Sequence, residues 1–205
     1  MPEFICNTSP LQYLHQLGRL EILPALTGQV IIPVPVIAEL AAGRALGCDV
    51  PDVRGLPWVA VRQPVSAPAL PLAADLGRGE AAVLALALES PDAVVILDDA
   101  LGRRAAELLG LRMTGTLGLL LDARKQGLIL KIAPVLDELD RLRFRVSPAT
   151  RAAESLLPRL PAEEVGCLYL DATGRPVTPD PATAEFAALR RHYGSVRGAW
   201  PVVRE

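Results

Sequence analysis

Ala93-Val94-Val95-Ile96-Leu97-Asp98-Asp99 is the stretch that decides the fold. Its apolar run is rich in Val and Ile and lacks polar alternation. That predicts a strand covered on both faces, as in a parallel sheet between helix layers. The run stops at two aspartates, and helical spacing follows through Arg103, Ala106 and Leu109 to Gly110. Before it, Gly77-Arg78-Gly79 precedes a helix expected from Glu80 to about Glu89. After it, Thr114-Gly115-Thr116 introduces a helix from Leu117 to Gln126 that Gly127 closes. A further helix is expected over Leu136 to Leu142.

The amino-terminal part repeats the alternation. Phe4-Ile5-Cys6 is a short apolar run that ends at Asn7-Thr8-Ser9-Pro10. Ser9 is suited to cap a helix whose first residue is Pro10. Leu11, Leu14 and Leu17 recur at helical spacing, and Gly18 ends the pattern. Val30-Ile31-Ile32 predicts a second buried strand, which Pro33 and Pro35 keep from extending as a central strand. Pro35 then opens a helix carrying Val36, Ile37, Glu39 and Leu40 up to Gly43. Arg44 to Pro57 has no clear period and reads as a loop or broken helix, and Trp58 to Val61 is a third strand candidate. Continuous apolar strands alternating with helices give the fold class: α/β, with a mainly parallel central sheet.

The chain has 205 residues, enough to bury a core without staples. Its longest apolar run, Ala81 to Leu88, is too short to cross a bilayer, so no membrane role is expected. Met1-Pro2-Glu3 lacks the basic start of a secretory signal. Cys6, Cys48 and Cys167 are odd in number and widely spaced, which predicts reduced thiols in a cytoplasmic protein rather than a disulfide or zinc framework. No Gly-rich phosphate loop of the Walker or dinucleotide type is present, and neither His15 nor His192 has a Ser or Cys motif beside it. The formal net charge is −2, so a global basic field is missing. Arg103 to Arg151 nevertheless holds ten Arg plus Lys against five Asp plus Glu. Such an excess either lines a phosphate-holding surface or simply solvates helix faces.

In an open parallel sheet, ligands collect beyond the carboxyl ends of the strands. Asn7 follows the first strand, Asp98 and Asp99 follow the strand from Ala93 to Leu97, Glu80 opens its helix, and Glu39 lies on the helix leaving the second strand. Gathered carboxylates repel one another, and a hard divalent cation offsets that cost. Oxygen ligands without a His or Cys cluster favour Mg²⁺ or Mn²⁺. Each residue also has an ordinary role. Asp98 or Asp99 suits a helix cap, Glu80 suits the first-turn dipole, Glu39 suits a solvated face and Asn7 suits a turn. Thr114 and Thr116 are common helix-start residues. The order of the set is more specific than any member.

Five segments in order resemble PIN-like proteins related to VapC toxins. They are Asn7 to Leu11 with Leu17-Gly18-Arg19-Leu20, Pro33 to Leu40, Gly77 to Ala81, Leu97-Asp98-Asp99 with Arg103-Arg104-Ala105-Ala106, and Thr114 to Gly118. The likeness is to a branch described as nucleic-acid-binding PIN-domain proteins, and it covers roughly residues 3 to 150. It implies a three-layer α/β/α sandwich and a metal-dependent endoribonuclease using Mg²⁺ or Mn²⁺. It also implies a toxin of a toxin–antitoxin pair, with RNA, an antitoxin protein and a second copy of the chain as partners. Asn7 stands where the family usually has its first Asp. Glu39, Glu80 and Asp98 match the acids that follow, as catalytic groups and, with Asn7 and Asp99, as metal ligands. Ser9 and Thr116 match polar residues of the cleft, and Arg103, Arg104 and Arg124 are expected to steady the RNA backbone.

Asn7 opens an alternative, because an amide ligates Mg²⁺ without charge and cannot act as a base. That alternative is a catalytically weakened module that binds RNA or protein. The expected domains are residues 1–150, PIN-like, and residues 151–205, a small carboxyl-terminal extension of unknown role. The extension is expected to hold a hairpin over Leu168 to Val177 around Thr173-Gly174, then a helix from Asp180 to about Tyr193.

Overall fold

The computed structural model describes residues 2–66 and 75–144, together with strand residues 169–170 and 176–177. The chain divides into two compact units, Met1–Asp122 and Ala123–Glu205.

The first unit is built on a five-stranded parallel sheet of β1 (Phe4–Cys6), β2 (Val30–Pro33), β3 (Val59–Arg62), β4 (Val94–Ile96) and β5 (Arg112–Thr114). Their order is β3-β2-β1-β4-β5, and every pairing is parallel. Every residue of β1, β2 and β4 is buried. Successive strand side chains point to opposite faces, so both faces of the sheet are covered. This is the expected α/β sandwich.

Among the described residues the helices are α1 (Thr8–Gln16), α2 (Ile22–Thr27), α3 (Val34–Ala45), α4 (Arg78–Glu89), α5 (Ala100–Leu108), α6 (Thr116–Lys125) and α7 (Ala133–Arg141). Helix α4 is the apolar keystone. Its segment Ala82 to Ala87 is buried, and it packs on β1, β2, β4 and α3. Ile5, Ile32, Leu84, Ile96 and Leu97 are among the largest fully buried side chains.

Several boundaries differ from the sequence reading. Helix α1 starts at Thr8 with Asn7 in the cap position, and Ser9 lies inside its first turn. The extended backbone of Asn7 (φ −87°, ψ 175°) suits a cap residue, although its side chain makes no capping bond. Gly77 caps α4, so Arg78 and Gly79 belong to the first turn rather than to a preceding loop. Strand β2 retains Pro33, which lies opposite Arg62, and α3 runs two residues past Gly43. The segment from 46 to 57, which has no period, is tied to α1 and α3 by His15–Asp49 at 3.1 Å and Arg44–Asp52 at 3.0 Å.

Two elements were not foreseen. Helix α2 is short and carries Pro24 in its first turn, and Thr27 Oγ1 donates to the Leu23 carbonyl at 2.8 Å. Strand β5, Arg-Met-Thr, sits at the sheet edge, where a strand needs little apolar signal.

In the second unit, α7 buries Val135, Leu136 and Leu139. Tyr169–Leu170 pairs antiparallel with Pro176–Val177 as β6 and β7, the pairing that the expected hairpin requires. The turn residues 171–175 and the helix expected from Asp180 lie outside the described residues.

Leu84→Ala removes a side chain with 0% exposure under the sheet. It should cost about 2–5 kcal/mol in urea unfolding. Leu46→Ala, at a position 84% exposed, should stay within about 0.5 kcal/mol of the parent. Equal losses would show that the core does not lie under α4.

Candidate functional site

The chain runs from β1 outward to β2 and β3, then crosses back to β4 on the other side of β1. The strand order therefore reverses between β1 and β4, and a crevice at such a switch point is the usual ligand site of an open α/β sheet. The backbone N–H of Asn7 donates to the Ile96 carbonyl at 3.1 Å. This bond sets the exit of β1 beside the exit of β4, two residues before Asp98.

Asn7 is 4% exposed, and its Oδ1 is buried with no hydrogen-bond partner. Glu39, reaching from α3, accepts from Thr8 Oγ1 at Oε2 and from the Gly79 N–H at Oε1, the latter at 2.8 Å. The first turns of α1 and α4 thus hold one carboxylate between them. All three oxygens crowd Gly79: a Cβ there would lie 2.6 Å from Glu39 Oε2, 2.8 Å from Oε1 and 2.9 Å from Asn7 Oδ1.

Glu80, one residue on, turns back to its own helix start, and its Oε2 accepts from the Gly77 N–H at 2.9 Å. Burial pushes its pKa above the ordinary value. The Gly77 bond opposes the rise, and the nearby charges of Asp99 and Glu39 add to it.

Thr116 engages both oxygens of Asp98. Oδ1 accepts from the Thr116 N–H at 2.8 Å and Oδ2 from Thr116 Oγ1 at 2.5 Å. Burial raises its pKa, while the Thr116 bonds and the Arg103 charge act to lower it. The buried Cys6 thiol is pushed well up by burial and by the charge of Asp98.

The other residues expected here have varied placements. Asp99 is the N-cap of α5, and its Oδ1 accepts from Leu101 and Gly102 N–H groups at 2.8 and 3.3 Å. Arg103 turns inward, and one guanidinium nitrogen donates to the carbonyls of Leu97 at 3.0 Å and Thr114 at 3.3 Å. It clasps the exits of β4 and β5. Arg104, next to it on α5, is exposed. Arg124 lies in the last turn of α6, in the second unit. The hydroxyl engaged with an acid at the α1 start belongs to Thr8, not to its neighbour Ser9.

Thr8 and Gly79 were missed as site residues. Both stood inside the quoted motifs, but nothing in their spacing shows that they meet Glu39, 31 and 40 residues away. Among the described residues, no three His, Cys, Asp or Glu side chains gather as a metal cage. Asn7 and Glu39 come together around Gly79, Glu80 lies within electrostatic reach of Glu39 and Asp99, and Asp98 is engaged with Thr116. A hard cation fits the first of these groupings. It consists of oxygen donors, and one of them is buried and lacks any donor of its own.

A carboxyl whose folded pKa lies above its unfolded value destabilises the fold once it ionises. The cost is complete above the folded pKa and disappears below the ordinary value of 4.5 for Glu80. Glu80→Gln should therefore raise the Tm of the cation-free protein at pH 7 and leave it unchanged at a pH well below 4.5. An equal or lower Tm at pH 7 would mean that Glu80 carries no burial cost. Thr116→Val removes the Oγ1 donor from Asp98 and should cost about 1–3 kcal/mol by urea unfolding at pH 7. Thr116→Ser should keep most of the stability.

Comparison with known families agrees with this architecture. A family model described as a PIN domain matches residues 3–156. No curated protein matches the chain. The family match spans most of the sequence and takes in the whole five-stranded sheet and its switch-point crevice, and on that ground the chain belongs to the PIN-domain family, whose fold is of the nuclease type.

Proposed function

We propose that the protein is a metal-dependent endoribonuclease of the VapC-related kind, hydrolysing RNA phosphodiesters with Mg²⁺ or Mn²⁺. The observation that carries this reading is the buried, partnerless Asn7 Oδ1 that crowds Gly79 together with both Glu39 oxygens. Acceptors crowded in this way are costly unless a cation joins them.

Asn7 and Glu39 would hold the ion, with Glu80 and Asp98 as further oxygen donors and Asp99 adding charge from the α5 cap. The bound ion would supply a water of lowered pKa and neutralise charge developing on the phosphodiester. The chain's own groups do the rest. Thr8 and the Gly79 N–H orient Glu39, and Thr116 fixes both oxygens of Asp98. Glu80, its pKa raised, is suited to take and release a proton at its carboxylate. Arg104 is free to meet a phosphate from the surface of α5. The clasp that Arg103 makes on two carbonyls stiffens the exit of β4.

The activity belongs to the cytoplasm, the compartment that suits three widely spaced cysteines. The biological role that goes with it is the toxin of a toxin–antitoxin pair, working as a homodimer until an antitoxin protein covers the crevice. Residues 1–150 form the nuclease domain and 151–205 an extension.

A second reading has its own observation: both oxygens of Glu39 and both of Asp98 already accept hydrogen bonds from the protein. With neutral Asn7, the same crevice then holds RNA or a protein without turnover.

One assay separates the two. A panel of structured and single-stranded RNAs is incubated with Mn²⁺, Mg²⁺ or EDTA. Cleavage should require the cation and fall by at least about 10²-fold in Glu39→Gln and in Asp98→Asn. Asn7→Asp should tighten Mn²⁺ binding, because it adds a charge to the ligand set. Cleavage that persists in EDTA or in both variants would remove this site from the chemistry. Salt-sensitive RNA binding without cleavage in Mn²⁺ would favour the binder.

A further inference from the structure

Gly79 is buried in the first turn of α4, in a helical backbone without the positive φ that favours glycine. Alanine is the better helix former at such a position. What glycine provides is room. A Cβ would come within 2.9 Å of both Glu39 oxygens and Asn7 Oδ1. None of these can yield easily. The carboxylate is held by Thr8 Oγ1 and by the Gly79 N–H, and Asn7 is 4% exposed. By contrast, a Cβ on Gly43 in α3 would meet only ordinary contacts, at 3.6 Å from Val50 and 3.7 Å from Cys48.

We propose that Gly79 is a positioning residue of the cation site, because its bare Cα lets the Glu39 carboxylate and the partnerless Asn7 Oδ1 face one small volume. The class of ligand is a hard, oxygen-seeking divalent ion. The inference rests on the cation reading above, and it adds a steric requirement that none of the acids carries. A side chain at position 79 parts the two donors without removing either.

The test uses the full-length protein, stripped with EDTA and titrated with MnCl₂. Free Mn²⁺ is followed by electron paramagnetic resonance, and Tm by circular dichroism. The parent should bind Mn²⁺ and gain Tm. Gly79→Ala should keep a native spectrum, bind roughly 10–100-fold more weakly and lose the Tm gain. Gly43→Ala should bind like the parent. Gly79→Ala/Glu39→Asp should recover part of the affinity, because a carboxylate shorter by one methylene vacates the volume that the new methyl takes. A role limited to helix packing predicts no such rescue.

A parent that binds no Mn²⁺ overturns the cation reading and this inference with it. A parent that binds, together with Gly79→Ala of equal affinity, overturns the role of Gly79 alone, as does a double variant with no recovery. Should Gly79→Ala fail to fold, the double variant decides: folded with measurable binding supports the inference, and unfolded or non-binding overturns it.

Discussion

The hydrogen bond from the Asn7 N–H to the Ile96 carbonyl joins the exits of two strands that end far apart in the chain, at Cys6 and Ile96. Strand β1 is central, between β2 and β4, and the direction of winding reverses across it. Any polar side chain just past β1 must then face whatever leaves β4. The site exists because of that adjacency. Without it, Asn7 is a turn residue and Asp98 sits beside a helix cap.

Around this seam the polar groups follow one economy of placement. The described acids of the crevice are held by the starts of helices or strand exits rather than by long cationic side chains. Glu39 takes donors from the first turns of α1 and α4, Glu80 from the cap of α4, Asp98 from the start of α6, and Asp99 from the first turn of α5. Helix starts present unsatisfied N–H groups and the positive end of the helix dipole, so they hold carboxylates at the sheet edge through local donors. Arg103, the cation close to Asp98, directs a guanidinium nitrogen to two backbone carbonyls. Burial pushes the pKa of Glu80 and Asp98 up against the pull of these donors. Asn7 is the exception, since its carboxamide oxygen takes no donor at all.

The sheet was legible because its central strands are uninterrupted apolar runs. Phe4 to Cys6, Val30 to Ile32 and the Val94 to Ile96 centre of the run from Ala93 to Leu97 all became buried parallel strands, since a segment covered on two faces has no polar positions to blur its pattern. Edge strand β5 and the short helix α2 were not legible. Arg-Met-Thr needs apolar character on little of its surface, and six residues around Pro24 show less than two helical turns of period. The cap of α1 was misplaced by two residues because Ser9-Pro10 is a strong local signal, whereas the extended backbone at Asn7 is set by its bond to β4.

The sequence by itself determined which residue types stand at strand exits and helix starts, because those are properties of local period and of the side chains themselves. Which of them face one another was decided by the tertiary structure alone. Strand order brings Asn7 beside β4, and the approach of α1 and α4 turns Thr8 and Gly79 toward Glu39. Contacts of this kind depend on packing between elements distant along the chain, and no local pattern encodes that distance. For the same reason Arg103 read as a surface cation, and only the fold turned it inward onto the ends of two neighbouring strands.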